Sequence, residues 1–204
     1  MATLKDHLNQ FVPSEVCLQC DGCCRFKEEN SAWQPKMGQE EIKKLINLRH
    51  SEERSDEESH QVEILRFAQN DRNISLADLI SSKETFSKDG VIKTVSCHGE
   101  HLCSFFNPQD HACRIYSGRP FECRLYPFLI NLRKGRVLLT VDLNCPYVYE
   151  KINSQEAKDY IAYLTNYLNS PKQLKMLKSN PQIIQAYEEV REVAEINLKR
   201  AKTI

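Results

Sequence analysis

The densest cysteine segment of the chain is Cys17-Leu18-Gln19-Cys20-Asp21-Gly22-Cys23-Cys24. Cysteines at intervals of three let neighbouring sulfurs reach one metal across a tight turn, and Gly22 is expected to supply the backbone freedom for wrapping around it. Structural zinc sites usually combine two distant C-x-x-C knuckles, whereas a C-x-x-C-x-x-C run is more typical of iron–sulfur clusters. The run therefore predicts a metal centre, with a 4Fe–4S cluster favoured over zinc.

Four cysteines in the second half of the chain complete a set of eight candidate metal ligands. The set is Cys17, Cys20, Cys23, Cys24, Cys103, Cys113, Cys123 and Cys145. Asn107-Pro108-Gln109-Asp110 signals a turn between the first two of the later four, and a predicted hairpin of Phe128–Leu132 and Val137–Val141 separates the last two. Such turns should gather thiols that are distant in sequence. Eight thiolates suit two closed four-thiolate sites, one iron–sulfur cluster plus a zinc, or one site with spare thiols, and the sequence does not choose among them.

Arginines stand beside several of these cysteines. They are Arg25, Arg114, Arg119 and Arg124. A divalent metal with four thiolates carries a net charge of about −2, so a nearby guanidinium group would favour the thiolates and hydrogen-bond their sulfurs. Arg119, which is fixed before Pro120, is the strongest candidate for this role, and Arg124 is the second. The alternative for one or two of the four is an ordinary surface arginine.

Cys97 is the ninth cysteine and stands outside the set of eight. It lies beside His98, with His101 and His111 nearby, and any of these four side chains is an alternative to a cysteine ligand. The competing interpretation is that the histidines are solvated or structural and that Cys97 is a small buried hydrophobe. No catalytic residue is nominated, because no nucleophile–base pair is evident and a metal with four thiolates has no open coordination position.

The bulk composition narrows the class of protein. The chain has 204 residues, 27% of them charged, and a net charge of zero, so no basic excess exists to neutralise the phosphates of a nucleic acid. No basic leader followed by an apolar segment opens the chain, and no apolar run approaches the ~20 residues that span a bilayer. We therefore expect a soluble, cytoplasmic protein with neither nucleic-acid nor membrane partners. In that reducing compartment, nine cysteines are more often metal ligands or redox groups than disulfides.

The pattern of predicted elements favours an α+β fold. We expect a small cysteine-rich, metal-centred domain with short strands or hairpins and surrounding helices, followed by a C-terminal α-helical hairpin. A helix is predicted from Gln39 to Leu48, and Asp89-Gly90 predicts a turn into the strand-like run Val91–Val95. The predicted division places a cysteine-cluster metal-binding domain at residues 1–150 and a helical extension at residues 151–204.

The last fifty residues contain no cysteine and predict three helices. Asn153 with Glu156 resembles a capping box that opens the first, Ser170-Pro171 begins the second, and Asn180-Pro181 begins the third. The third is supported by apolar residues at helical spacing, namely Ile183, Tyr187, Val190, Ala194 and Leu198. This helical tail is the expected surface for a protein partner.

Residues 48–73 differ from the rest of the chain. Their ERSDEES and ILRFAQND segments resemble the translation of a palindromic repeat element scattered through some bacterial genomes. Such an in-frame insertion is tolerated in a surface loop because closure entropy grows slowly with length. The alternative is an ordinary acidic linker that ends in a helix from Val62 to Ala68. A further helix is expected from Ile74 to Ile80, and no function is assigned to the segment.

Taken together, the motifs resemble a known family. The likeness rests on Cys17-x2-Cys20-x2-Cys23-Cys24, Cys103-Ser104-Phe105-Phe106, Cys113-Arg114-Ile115-Tyr116-x2-Arg119-Pro120-x2-Cys123-Arg124 and Asp142-x2-Cys145-Pro146. These segments are similar to the bacterial zinc- or iron-chelating cysteine-cluster proteins, also called the YkgJ family, over about residues 15 to 147. The resemblance implies metal chelation by eight cysteines. Family members are often labelled iron–sulfur oxidoreductases without a defined reaction, and the same cluster occurs in flagellin lysine-N-methylases.

Three functions follow from these observations and stay open at this point. The first is a metal or iron–sulfur protein with a redox, carrier or regulatory role. The second is a protein lysine methyltransferase, although the chain is short and shows no Gly-rich strand–turn–helix signature for a nucleotide-type cofactor. The third is a structural zinc module whose helical tail binds a protein partner.

Overall fold

The computed structural model describes most of the chain. The described residues are 8–20, 22–52 and 85–198. The insertion is therefore described only as far as Glu52. Its remainder, and the helices expected from Val62 to Ala68 and from Ile74 to Ile80, lie outside the described residues.

Helices and small antiparallel sheets occur together, which confirms the α+β fold class. The chain forms two compact units. We call Cys17–Pro120 the cysteine-run unit, and we call Met1–Val16 together with Phe121–Ile204 the hairpin unit. Within the described ranges, no helix combines the length and the apolar character needed to cross a bilayer.

The cysteine-run unit is built from short elements. In order, α1 (Ser14–Cys17) leads into a 3-10 helix (Gly22–Cys24), followed by β1 (Arg25–Phe26), α2 (Gln39–Glu52), β2 (Thr94–Cys97), β3 (Glu100–Cys103), β4 (Phe106–Asn107), β5 (Ala112–Cys113) and a 3-10 helix (Tyr116–Gly118). The first three strands form an antiparallel sheet in the order β1-β3-β2, and β4 pairs with β5. Helix α2 confirms the helix predicted from Gln39.

Two turns of this unit use left-handed backbone conformations. His98 and Gly99, with φ of 50° and 84°, join β2 to β3, as a two-residue hairpin turn with positive φ at both positions requires. Gly90 has a φ of 78°, and a Cβ there would collide with the backbone oxygen of Met37. The turn predicted at Asp89-Gly90 is confirmed, because the Gly90 N–H donates to the Ser87 carbonyl at 3.1 Å.

A hydrophobic cluster fills the centre of the cysteine-run unit. Its buried members are Phe26, Met37, Leu45, Ile92, Leu102, Cys103, Phe105, Phe106 and Ile115. Cys24, Cys97 and Cys113 are partly buried and pack against the same cluster. Several thiols therefore lie in an apolar surrounding, which matters for their ionisation.

The hairpin unit has longer elements. They are α3 (Phe121–Leu125), β6 (Phe128–Arg133), β7 (Arg136–Val141), α4 (Pro146–Lys151), α5 (Gln155–Leu168), α6 (Pro171–Ser179), a 3-10 helix (Pro181–Ile183) and β8 (Arg191–Ile196). The predicted hairpin is confirmed as β6 and β7, which pair from Phe128↔Val141 to Arg133↔Arg136. Its turn residues, Lys134 and Gly135, have φ of 51° and 76°, which suits the twist of the two strands.

The C-terminal helical hairpin is confirmed as α5 and α6, with one change at its start. The side chain of Ser154, not Asn153, caps α5 by accepting a hydrogen bond from the Ala157 N–H at 3.1 Å. Ser170 caps α6 as predicted, with Pro171 in the first turn. The N-cap residue of a helix is the one whose side-chain oxygen reaches a free N–H of the first turn, and here this is the serine hydroxyl.

The third helix expected in the tail is wrong. Pro181–Ile183 forms only a 3-10 turn, and the chain then continues into strand β8. Strand β8 pairs with β7, for example Ala194 with Leu139 and Ile196 with Val137. Of the five apolar residues that suggested a helix, only Ala194 lies in β8. Pairing with β7 satisfies the backbone of both strands, and this tertiary contact outweighs the local helical spacing. The sheet thus joins residues from both sides of position 150.

Candidate metal centre

The cysteine run leads directly into the sheet of the cysteine-run unit. Arg25 pairs with Leu102, and Phe26 pairs with His101. Cys24 ends the 3-10 helix one residue before β1, and Cys103 is the last residue of β3. The pairing of β1 with β3 thus leaves these two thiols, far apart in sequence, close enough for Cys103 to act on the pKa of Cys24.

A second strand pair brings Cys113 to the same region. Strand β4 pairs with β5 so that Phe106 stands opposite Cys113. The turn predicted between Cys103 and Cys113 is confirmed, because the Asn107 side chain accepts from the Gln109 N–H at 3.3 Å and the Asp110 side chain accepts from the Ala112 N–H at 3.1 Å.

The ionisation of these thiols shows that they act on one another. The pKa of Cys24 is raised, first by a hydrogen bond with Cys23, then by burial, and then by the nearby thiols of Cys23, Cys103 and Cys113. Burial raises the pKa of Cys103 to about 12. Burial also raises the pKa of Cys113 to about 11, with Cys23 and Cys17 adding to the effect. Without a cation, these thiols stay neutral at neutral pH.

Arg119 supplies positive charge to this group of thiols. Its side chain is nearly buried, at 9% exposure, and its guanidinium carbon lies 3.7 Å from the centre of the Tyr116 ring. Its Nε donates to the Tyr116 carbonyl at 3.1 Å, and its Nη1 donates to Cys17 Sγ at 3.4 Å. The same guanidinium opposes the rise in the pKa of Cys113. Arg119 therefore contacts one candidate ligand and acts electrostatically on another.

The other arginines beside the cysteines have different surroundings. Arg25 forms an ion pair with Glu100 and lies 5.6 Å from the Phe106 ring centre. The Nε atom of Arg114 is buried and has no hydrogen-bond partner among the described residues. Arg124 lies in α3 of the hairpin unit, one residue after Cys123.

Cys20 and Gly22 differ from the rest of the cysteine run. Cys20 is exposed. Gly22 lies in the 3-10 helix outside the left-handed region, and a Cβ there would meet only Cys20 Sγ, at an ordinary 3.7 Å. The expectation that Gly22 supplies backbone freedom to the run is therefore wrong, because an alanine would fit the same backbone.

Cys123 and Cys145 belong to the hairpin unit. Cys123 lies in α3, before strand β6, and Cys145 is the N-cap residue of α4, after strand β7. Between β7 and Cys145 lies Asp142, a buried carboxylate that accepts a hydrogen bond from the Tyr126 hydroxyl at 2.9 Å. Sequence reasoning assigned no role to Asp142, although its place in the motif Asp142-x2-Cys145-Pro146 was a signal.

Cys97 and the three nearby histidines lie against the hydrophobic cluster, in turns and in the sheet of the cysteine-run unit. Cys97 packs against the hydrophobic cluster, as a small apolar side chain would. His98 and His111, with φ of 50° and 53°, occupy left-handed positions in turns. His101 pairs across the sheet with Phe26 and Ser96.

The chemistry of the donors fits a thiolate-bound metal. All nine cysteines lie in the described part of the chain, and none of them forms a disulfide. Two buried donors lie just after Cys113 in the sequence, namely the Nε of Arg114 and the hydroxyl of Tyr116. Neither has a hydrogen-bond partner within the described residues. Donors of this kind suit sulfur acceptors that carry negative charge. Among the described residues, no three His, Cys, Asp or Glu side chains are already arranged around one ion position.

Comparison with known proteins identifies the family. Neither the curated proteins nor the solved structures returned a match. The family CxxCxxCC, described as "Putative zinc- or iron-chelating domain", matches residues 16–157. This range includes all eight cysteines of the candidate set and covers well over half of the chain. The protein therefore belongs to the CxxCxxCC family of zinc- or iron-chelating domains.

Proposed function

We propose that this protein binds an iron–sulfur cluster or zinc through the eight family cysteines, with a 4Fe–4S cluster favoured. One observation carries the proposal: the thiols of Cys24, Cys103 and Cys113, from three separate segments, act on one another's pKa. Arg119 adds a positive charge, since it donates to Cys17 Sγ and opposes the rise in the pKa of Cys113. The cysteine-run unit holds six of the eight candidate thiols, more than one four-thiolate site needs. The two remaining candidates are Cys123 and Cys145.

Several thiols are buried near the positive charge of Arg119. This arrangement supports metal binding more than a role of the cysteines as ordinary core side chains. Cys103 and Cys113 are desolvated enough to raise their pKa values to about 12 and 11, so they gain little from ionising alone. A bound metal compensates this cost, since it deprotonates the thiols that coordinate it. Arg119 would then offset part of the negative charge that four thiolates bring.

An iron–sulfur cluster would supply one-electron transfer, and we propose a redox or regulatory role on this basis. Zinc in the same site would instead stabilise the fold. We assign metal binding to residues 1–150 and treat residues 151–204 as an extension without thiol ligands, whose α5–α6 hairpin offers a surface for a protein partner. We place the protein in the bacterial cytoplasm, where thiols stay reduced.

Anaerobic purification followed by metal analysis and a visible spectrum tests the proposal. An iron–sulfur protein would contain iron and sulfide and absorb broadly near about 400 nm, whereas a zinc protein would be colourless. Cys113→Ser should lower the metal content, while Cys97→Ser should leave it unchanged, because Cys97 lies outside the family cysteines. A folded protein that contains neither iron nor zinc would refute the proposal.

A further inference from the structure

The buried carboxylate of Asp142 has specific hydrogen-bond partners. Asp142 is 4% exposed. Its Oδ2 accepts from the Tyr126 hydroxyl at 2.9 Å, and its Oδ1 accepts from the Asn144 N–H at 2.9 Å. Both carboxylate oxygens are therefore satisfied, each by a different segment of the chain.

The Tyr126 side of this contact belongs to the segment that carries Cys123. Tyr126 donates its N–H to the Glu122 carbonyl at 2.9 Å, which extends the turn of α3 past its last residue. Cys123 lies in the same helix, three positions before Tyr126. The hydroxyl of Tyr126 thus ties α3 to Asp142.

The Asp142 side belongs to the segment that carries Cys145. The Asp142 N–H donates to the Pro127 carbonyl at 2.9 Å, one step beyond the last strand pair, Phe128↔Val141. The Asn144 N–H bond to the carboxylate then turns the chain toward Cys145, whose N–H lies 3.5 Å from the Asp142 carbonyl. Cys145 is 8% exposed. The turn that presents Cys145 is consequently held by the same side chain that binds Tyr126.

We propose that Tyr126 and Asp142 are positioning residues, and that their hydrogen bond fixes the Cys145 thiol relative to the Cys123 thiol for metal binding. The inference rests on the proposed function of these two cysteines. Without the tyrosine hydroxyl, one oxygen of a buried carboxylate loses its partner, and the turn opens to let water reach it. The Cys145 thiol is then released with the turn.

Site-resolved alkylation of the full-length protein, as purified, tests this pair. N-ethylmaleimide labelling is followed at each cysteine by mass spectrometry in wild type, Tyr126→Phe, Asp142→Ala and Asp142→Asn. Tyr149→Phe, which removes a hydroxyl from a tyrosine that is 69% exposed, is the matched control. We expect Cys145 to label at least about tenfold faster in Tyr126→Phe and Asp142→Ala. Asp142→Asn should stay near wild type, because its amide oxygen can accept from the Asn144 N–H while its amide nitrogen donates to the Tyr126 oxygen.

Cys103 is the internal reference, because it is 7% exposed and lies in the other unit. A purely structural role would raise the labelling of Cys103 and Cys145 together, and this outcome would overturn the proposal, as would an unchanged Cys145. Metal content is measured in the same samples. Wild type without metal would overturn the proposed function, and with it the metal role of the pair. Wild type with metal but with Cys145 unaffected in the variants would overturn only the positioning role.

Discussion

Arg119 shows how one side chain can serve both the fold and the candidate site. Its flat guanidinium group stacks on Tyr116, its Nε satisfies the Tyr116 carbonyl, and one terminal nitrogen is left for Cys17. The following Pro120 favours the extended backbone seen at Arg119, with φ of −54° and ψ of 145°. The charge is thereby held beside the thiols by contacts that do not depend on them.

We predict that Arg119→Ala weakens metal binding by about ten- to a hundredfold, because it removes a hydrogen bond to a charged sulfur. Arg119→Lys should be intermediate, since lysine keeps the charge but lacks the planar fork. Competition with a chromogenic chelator measures the affinity. Arg136→Ala, which removes an exposed arginine paired with Glu195, is the control. Equal affinity in Arg119→Ala and wild type would contradict the assigned role.

The raised pKa values of Cys103 and Cys113 predict how metal affinity depends on pH. Both thiols stay protonated up to about pH 12 and about pH 11, so a metal must displace their protons at any lower pH. The apparent affinity should therefore rise with pH by about tenfold per pH unit for each coordinating thiol, and continue to rise above pH 9. Chelator competition between pH 7 and pH 9.5, corrected for chelator protonation, measures the slope. Cys103→Ser should lower the slope by about one proton, and an unchanged slope would exclude Cys103 as a ligand.

At the scale of elements, tight turns set which thiols meet. The turns after β2, β4 and β6 each contain a residue with positive φ, and each is followed by an antiparallel partner strand. The loop that ends at Gly90 passes so close to Met37 that a side chain cannot be accommodated there. The turns after β2 and β4 fix the strand registers of Cys103 in β3 and of Cys113 in β5.

Three glycine-to-alanine variants test why glycine occupies each position: a close backbone contact, a positive φ, or neither. Gly90→Ala should lower the free energy of unfolding by more than about 3 kcal/mol, because it adds a backbone clash to a positive φ. Gly135→Ala has open space and a φ of 76°, so we expect about 1 kcal/mol. Gly22→Ala should change stability by less than about 0.5 kcal/mol.

Denaturant unfolding of the three proteins measures these differences. A large loss in Gly22→Ala would restore the view that the cysteine run needs glycine, and a small loss in Gly90→Ala would refute the close approach to Met37.

For the whole molecule, the two units differ in how much apolar core supports them. In its described residues, the cysteine-run unit has strands of two to four residues and a hydrophobic cluster that includes thiols. The hairpin unit has six-residue strands and helices with fully buried side chains, such as Leu139, Leu164 and Leu177. A metal would therefore contribute a larger share of the stability of the cysteine-run unit.

We predict that chelation lowers hydrogen-exchange protection most in β1 to β3 and much less in β6 and β7. The reason is that binding free energy of a structural metal is folding free energy for the segments that hold it. Hydrogen exchange read by mass spectrometry, before and after chelation, measures the change for each peptide. Equal loss in both sheets, or no loss in β1 to β3, would contradict the prediction.

Local signals in the sequence were sufficient for much of the fold. The β6–β7 hairpin, the turn between Cys103 and Cys113, helix α2 and the Ser170 cap all depend on residues within a few positions of one another. The family assignment likewise follows from cysteine spacing. Such features are determined by short-range sterics and hydrogen bonding, which act in the same way in any fold.

Contacts between distant segments of the chain depend on the tertiary structure. The spacing of Val190, Ala194 and Leu198 predicted a helix, but Arg191–Ile196 forms strand β8. The edge of β7 supplies backbone hydrogen-bond partners to this segment, and that tertiary contact overrides the local spacing. The nearness of Cys24 to Cys103, and the contact of Arg119 with Cys17, depend on packing between segments that no local pattern encodes. The cysteine spacing indicates which thiols are available to a metal, whereas long-range strand pairing and burial bring some of these thiols next to one another.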